Sequence, residues 1–155
     1  MKTLVVTKGT YHVTNDEEVA LVAKNLGSGL AICIRDQESG VFGLCYLVVP
    51  FLKGKDPDGL PSFECNSGLR AFFKEVTDVG GKREALRTWL VGIGQFLECP
   101  KELNVGVHLY SLVKKTLEKN GIAIEGEFVG GPFNKSVQFG LTLGPDVTAP
   151  GSKKE

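Results

Sequence analysis

The sequence predicts one α/β or α+β domain, and three observations carry that reading. Apolar residues alternate or run together in short strand-length blocks, two longer segments repeat apolar residues with helical spacing, and glycine or proline clusters separate the blocks. A chain of 155 residues is about one domain long and can bury a sizeable core. No internal repeat or interdomain linker interrupts it, so residues 1–143 are read as a single domain and 144–155 as a mostly disordered tail rich in Pro, Gly, Ser and Lys.

The elements follow in order. Leu4-Val5-Val6 reads as a short strand ending at Lys8-Gly9, and His12 after Tyr11 is placed in an exposed polar turn. Glu18 to Lys24 is a brief apolar stretch entering the turn Asn25-Leu26-Gly27-Ser28-Gly29, where glycines leave the main chain accessible. Leu30 to Arg35 is a strand by its β-branched, alternating pattern, Asp36 to Gly40 a polar loop, and Val41 to Val49 a more fully buried strand ended by Pro50. Two strands joined by so short a loop form an antiparallel hairpin. Placing Arg35 opposite Val41 puts Gly29 opposite Leu47 and beside Tyr46, so the Gly-Ser-Gly turn neighbours the second strand.

Lys53 to Ser62 is a loop. Beyond it, Leu69, Phe72, Phe73 and Val76 recur at i, i+3, i+4 and i+7, giving a helix that starts near Ser67 and stops at Gly80-Gly81. Thr88-Trp89-Leu90-Val91 is a buried run followed by Gly92-Ile93-Gly94. Asn104 caps a second helix with Val105, Leu109, Leu112, Val113 and Leu117 inward and Gly121 at its end. Strands Ile122 to Val129 and Ser136 to Leu143 close the domain through Gly130-Gly131-Pro132, with Val137, Phe139, Leu141 and Leu143 on one face of the last.

Composition narrows the function. Eighteen cationic and eighteen acidic side chains cancel, which removes any bulk electrostatic case for nucleic acid. No apolar run approaches the roughly 20 residues of a membrane span, so no membrane insertion is expected and the location read is cytoplasmic. The four cysteines, Cys33, Cys45, Cys65 and Cys99, form no CxxC pair and read as reduced buried thiols. The two histidines, His12 and His108, sit at no metal-ligand spacing, and the glycines form neither a GxxxxGK[ST] nor a GxGxxG pattern, so no metal or other cofactor is expected.

The order of these elements and glycines resembles the CheD family. That family carries a leucine-glycine-serine-cysteine turn, a strand, an aspartate-containing loop, and a second strand with a glycine, histidine and leucine-proline pattern. Leu26-Gly27-Ser28-Gly29-Leu30-Ala31-Ile32-Cys33-Ile34-Arg35-Asp36 and Gly43-Leu44-Cys45-Tyr46-Leu47-Val48-Val49-Pro50 align with it without a gap. The likeness extends through Gly9-Thr10-Tyr11, Val91-Gly92-Ile93-Gly94, Asn104-Val105-Gly106, Gly121-Ile122 and Phe128-Val129-Gly130-Gly131, over roughly Val5 to Leu143.

The resemblance implies mixed β-sheets flanked by helices, a fold shared with the cytotoxic-necrotizing-factor deamidase toxins. It also implies hydrolysis of receptor glutamine side chains to glutamate, which needs a thiolate nucleophile and a histidine to activate it and carry the proton. Here the nucleophile position is Gly29, the histidine position is Tyr46, and the active-site threonine falls near Ala23. Glycine has no side chain to attack with, and a tyrosine of ordinary pKa near 10 is a poor base at neutral pH.

Three readings follow. In the first, a catalytically silent CheD-like protein uses Gly27, Ser28, Gly29 and Tyr46 to bind chemoreceptor helices or a CheC-type phosphatase. In the second, a relocated nucleophile, Cys33 or Cys45, works with His108. Cys33 lies roughly 13 Å along the strand from Gly29 on the same face, and Cys45 points to the opposite face from Tyr46. In the third, a scaffold domain unrelated to chemotaxis keeps only the fold.

Overall fold

A computed structural model describes residues 2–26, 29–47, 65–93, 105–130 and 135–148 of the chain. Nine strands and two helices among them form two mixed sheets. The first sheet has the order β1 (Lys2–Val5), β3 (Val19–Leu26), β8 (Lys135–Phe139), β9 (Asp146–Thr148). The second has the order β2 (Tyr11–Thr14), β5 (Val41–Leu47), β4 (Leu30–Asp36), β6 (Arg87–Gly92), β7 (Ala123–Val129). Only β1 with β3 and β6 with β7 pair in parallel; every other pairing is antiparallel. The predicted α+β class with mixed sheets flanked by helices is therefore the observed one.

Strands β4 and β5 are the middle layer, with helices on one face and the first sheet on the other. Their alternate side chains divide between two cores. Leu30, Ile32, Ile34, Cys45 and Leu47 face α1 (Cys65–Val79) and α2 (Val105–Lys119), where Leu69, Phe72, Val76, Leu109, Val113 and Leu117 meet them. Ala31, Cys33, Phe42, Leu44 and Tyr46 face the first sheet and pack with Leu21, Ala23, Leu26, Val137 and Phe139. Double-sided burial explains why these strands read as near-continuous apolar runs. Gly43 is where Phe72 presses onto β5: a Cβ there would lie 2.9 Å from the ring.

The helices match their periodicity. Phe73 is half-buried beside the fully buried Leu69, Phe72 and Val76. After Gly80, at φ +124°, the amide of Gly81 donates to the Val76 carbonyl at 2.8 Å and ends α1. The side chain of Ser67, the Asn104 cap and the loop from Lys53 to Ser62 lie outside the described residues.

Several expectations are corrected. Tyr11 to Thr14 form a strand rather than a turn, because their backbone pairs with β5, although His12 is exposed as anticipated. The apolar stretch expected to turn at Asn25-Leu26 instead runs through both as the eight-residue strand β3, Val19–Leu26. The last long strand stops at Phe139, where the Gly140 amide turns back to the Leu143 carbonyl at 2.8 Å; Leu141 packs only partly on the core. Asp146 to Thr148, expected within a disordered tail, pair with β8 while Val147 packs against the inter-sheet core. The half-buried Val147 and the pairing with β8 seat a short edge strand that composition hides.

The hairpin register is shifted by one residue: Asp36 faces Val41, Ala31 faces Tyr46 and Leu30 faces Leu47. The cause is Asp36, which ends the strand instead of starting the loop. Its buried carboxylate accepts from the amides of Glu38 at 3.0 Å, Ser39 at 3.2 Å and Lys82 at 2.8 Å, while the Gly40 amide donates to its carbonyl at 3.0 Å. Burial alone would raise this carboxyl's pKa; the amides of Lys82, Ser39 and Glu38 outweigh it and hold the group below the ordinary carboxylate range.

Asp36→Asn should cost about 2–3 kcal/mol in denaturant unfolding, because the new NH2 group confronts one of the three amides, donor against donor. A folded pKa below the unfolded value means the carboxylate's contribution is whole above about pH 4 and is lost as pH falls through the folded pKa. Wild-type stability should therefore drop more steeply than that of Asp36→Asn below about pH 4, and parallel curves for the two would contradict the assignment.

Candidate functional site

The start of β4 and the ends of β6 and β7, marked by Gly29, Gly92 and Gly130, come together at one end of the five-stranded sheet. The Ile93 amide donates to the Gly29 carbonyl at 2.9 Å, and the Gly130 amide donates to the Gly92 carbonyl at 3.0 Å. Gly92, at φ +127°, lies so close to position 29 that a Cβ on it would sit 2.4 Å from the Gly29 carbonyl oxygen. Ile93 itself is at φ 56°, a left-handed conformation that costs a β-branched residue roughly 1–2 kcal/mol. Position 29 is thus held from below by strained, closely packed backbone.

Tyr46 stands across the hairpin. Its Cα partner is Ala31, two residues from Gly29 and two from Cys33, so both are diagonal neighbours of Tyr46, roughly 7–8 Å away. The expected neighbourhood of Gly29 and Tyr46 is present with this shifted pairing. The Tyr46 ring is 2 % exposed, and its hydroxyl donates to the Asn25 carbonyl at 3.4 Å. Burial pushes the phenol pKa up. The backbone of Tyr46 is fixed from β2's side: its amide donates to the Thr10 carbonyl at 2.9 Å and its carbonyl accepts from the Gly9 amide at 2.9 Å.

Ala23 lies on β3, paired with Val137 and fully buried in the same inter-sheet core as Tyr46. Asn25, at φ 54°, takes the Ser136 hydroxyl at 3.1 Å on its amide while its carbonyl receives Tyr46. Gly27 and Ser28 lie outside the described residues. Ala23 and Tyr46 thus share the inter-sheet core from β3 and β5, and Gly29, just before β4, lies on the diagonal of Tyr46.

The alternative thiols are placed differently. Cys33 is fully buried in the inter-sheet core, and burial drives its pKa far up, against a smaller lowering by Arg35. Cys45 is fully buried on the opposite face, in the core under the helices. His108 belongs to α2, which packs on that helical face, away from Cys33; its side chain lies outside the described residues, as do Cys99 and the side chain of Cys65.

Asn25, Gly92 and Ile93 are the site neighbours that sequence reasoning did not assign. The Gly-Ile-Gly punctuation marked a tight backbone after the Trp89 run, but its contact with position 29 spans more than sixty residues and no local pattern encodes it.

A buried hairpin packed between helices and a second sheet defines an α+β fold, with a candidate site at one sheet end. The family model of CheD chemotactic sensory transduction matches residues 60–145. That is more than half of the chain, and the chain belongs to the CheD family. The chain is 29 % identical to the chemoreceptor glutamine deamidase CheD of Thermotoga maritima, over 90 % of this chain and 87 % of that protein. It is 27 % identical to a probable chemoreceptor glutamine deamidase CheD of Haloarcula marismortui, over 86 % of this chain and 77 % of the relative. Among solved structures, a Neisseria meningitidis protein of the DUF152 family superposes with a TM-score of 0.50 at 10 % identity, over 95 % of this chain and 67 % of the other, a likeness of fold. No helix among the described residues is long and apolar enough to cross a membrane.

In the folded protein, the peptide carrying Cys33 should resist iodoacetamide for hours at pH 8 and react only in denaturant, read by peptide mass spectrometry. Rapid native alkylation of Cys33 would contradict its burial.

Proposed function

We propose that this CheD-family chain is catalytically silent and acts by binding chemoreceptor cytoplasmic helices or a CheC-type phosphatase, as a decoy or regulatory partner. The observation that carries this reading is the pair Gly29 and Tyr46. They sit diagonally across one hairpin, and the family resemblance assigns to these two positions the thiol and the imidazole of the chemistry. Glycine supplies no nucleophile, and a buried phenol with a raised pKa stays protonated at neutral pH and cannot serve as the base.

The relatives named as chemoreceptor glutamine deamidases supply the partner class: a receptor segment rather than a small molecule. Loss of turnover does not require loss of the binding surface. Partner binding needs shape and hydrogen bonding; hydrolysis of an amide needs the nucleophile as well.

Relocating the chemistry to Cys33 or Cys45 with His108 gains little from the geometry. Both thiols are fully buried, and Cys33 faces away from the helices. One observation favours the scaffold reading instead: the Tyr46 ring is packed between the sheets, which a domain retaining only the fold would also accept.

The test replaces the two residues together, Gly29→Cys with Tyr46→His. A reactive thiol should appear at position 29, with alkylation at least about tenfold faster than in Gly29→Cys alone, because the imidazole lowers the thiol pKa. In parallel, the wild-type chain should bind a purified receptor cytoplasmic fragment or a CheC-type phosphatase in a pull-down. An inert thiol at position 29 would contradict the site assignment, and binding to neither partner would leave the scaffold reading in its place.

A further inference from the structure

The outer side of the helical layer carries a feature that the Gly29–Tyr46 region does not use. Between α1 and α2 lies a groove of about 460 Å3 whose rims carry Arg70 and Lys74 from α1, Arg83 from the 3-10 turn Arg83–Ala85, and Lys119 from the end of α2. All four cations are exposed. The half-buried Phe73 is the exposed apolar surface between them, over the buried Leu86 and Ile122, with the polar Thr77, Thr116 and Asn120 also in the wall, and no carboxylate is among the described lining residues.

This is a local concentration of positive charge in a chain whose 18 basic and 18 acidic residues cancel in total. Lys74 is engaged by Asp78 one turn along at 2.8 Å, an exposed helical pair that is easily exchanged. Arg70, Arg83 and Lys119 make no ion pair among the described residues. Elsewhere, Arg87 on β6 pairs with Glu125 on β7 at 3.0 Å, and Lys114 on α2 pairs with Glu127 on β7 at 3.2 Å. The groove therefore gathers three exposed cations that make no ion pair among the described residues around the half-buried Phe73.

We propose that this groove is a docking surface for an acidic amphipathic helix of a partner protein. An apolar surface flanked by cations on both sides matches a helix with an apolar stripe bordered by Glu or Asp. Phe73 would seat the stripe, and the rim charges would set orientation and speed association. A bare anion has no use for Phe73, and a nucleic-acid surface calls for a net positive excess that this chain lacks. The surface lies on the opposite side of the five-stranded sheet from Tyr46 and is independent of the silent-site reading.

The probe is a fluorescent synthetic helical peptide with leucines at i, i+3, i+4 and i+7 bordered by glutamates, read by anisotropy against the full-length protein. Saturable binding is expected, weakened about tenfold by Arg83→Glu with Lys119→Glu and unchanged by Tyr46→Phe. Arg70→Glu serves as a second rim variant, and circular dichroism checks that each variant is folded. The proposal is overturned if a peptide with lysines in place of the glutamates binds equally well, or if the folded rim variants bind like wild type. It is also overturned if a single-stranded oligonucleotide or phosphatidylglycerol vesicles bind the groove, sensitive to the same rim variants, while the acidic peptide does not.

Discussion

A buried carboxylate at the end of β4 sets the geometry on which the rest of the protein depends. Asp36 gathers the amides of Glu38 and Ser39 from the hairpin loop and that of Lys82 from the segment after α1. In doing so it shortens the loop and fixes β4 against β5 in one register. A slip of one residue would exchange the two faces of β4. Ala31 and Cys33 would then meet the helices, while Ile32 and Ile34 would meet the first sheet. The same carboxylate ties the end of the helical layer to the hairpin, so that register and layer packing are set together.

From that register the site follows. Tyr46 faces the inter-sheet core because Cys45 and Leu47 face the helices, and Gly29 falls on its diagonal. At the other end of β4, Arg35 closes the gap between the sheets. Its guanidinium donates to the carbonyls of Gly140 at 2.9 Å and Gly144 at 3.2 Å and lies over Trp89 and Phe139. Burial lowers the Arg35 pKa, with Cys33 acting weakly the other way, yet an arginine remains charged at any physiological pH. One strand end is thus clasped by charge and aromatic contact, and the other is built from tight glycine backbone. Not every buried polar group is satisfied: the Thr88 hydroxyl on β6 has no hydrogen-bond partner among the described residues.

The local parts of this fold were legible in the sequence. Leu69, Phe72 and Val76 announce α1 by spacing alone, and the β-branched blocks around Asp36 announce the hairpin. The exact pairing was not legible, because whether an aspartate ends a strand or begins a loop depends on an amide forty-six residues away. The strand Tyr11–Thr14 is too short and polar to signal itself, and β9 sits among Gly and Pro. Division into two sheets depends on long-range contacts that periodicity does not encode. The family resemblance names Ala23, Gly29 and Tyr46 as site positions, whereas Asn25 and Ile93 join their surroundings only through the folded backbone.

The central claim is that a CheD-family domain has kept the place of its chemistry while losing the groups that perform it. The deciding measurement is prolonged incubation of the purified chain with chemoreceptor cytoplasmic fragments, followed by mass spectrometry of every receptor glutamine. The account predicts no gain of about 1 Da at any glutamine above the enzyme-free control, the shift that an amide-to-acid change would give, under conditions where an active family member produces it. A time-dependent conversion that disappears with Cys33→Ser or Cys45→Ser would contradict the account and restore a working, relocated nucleophile.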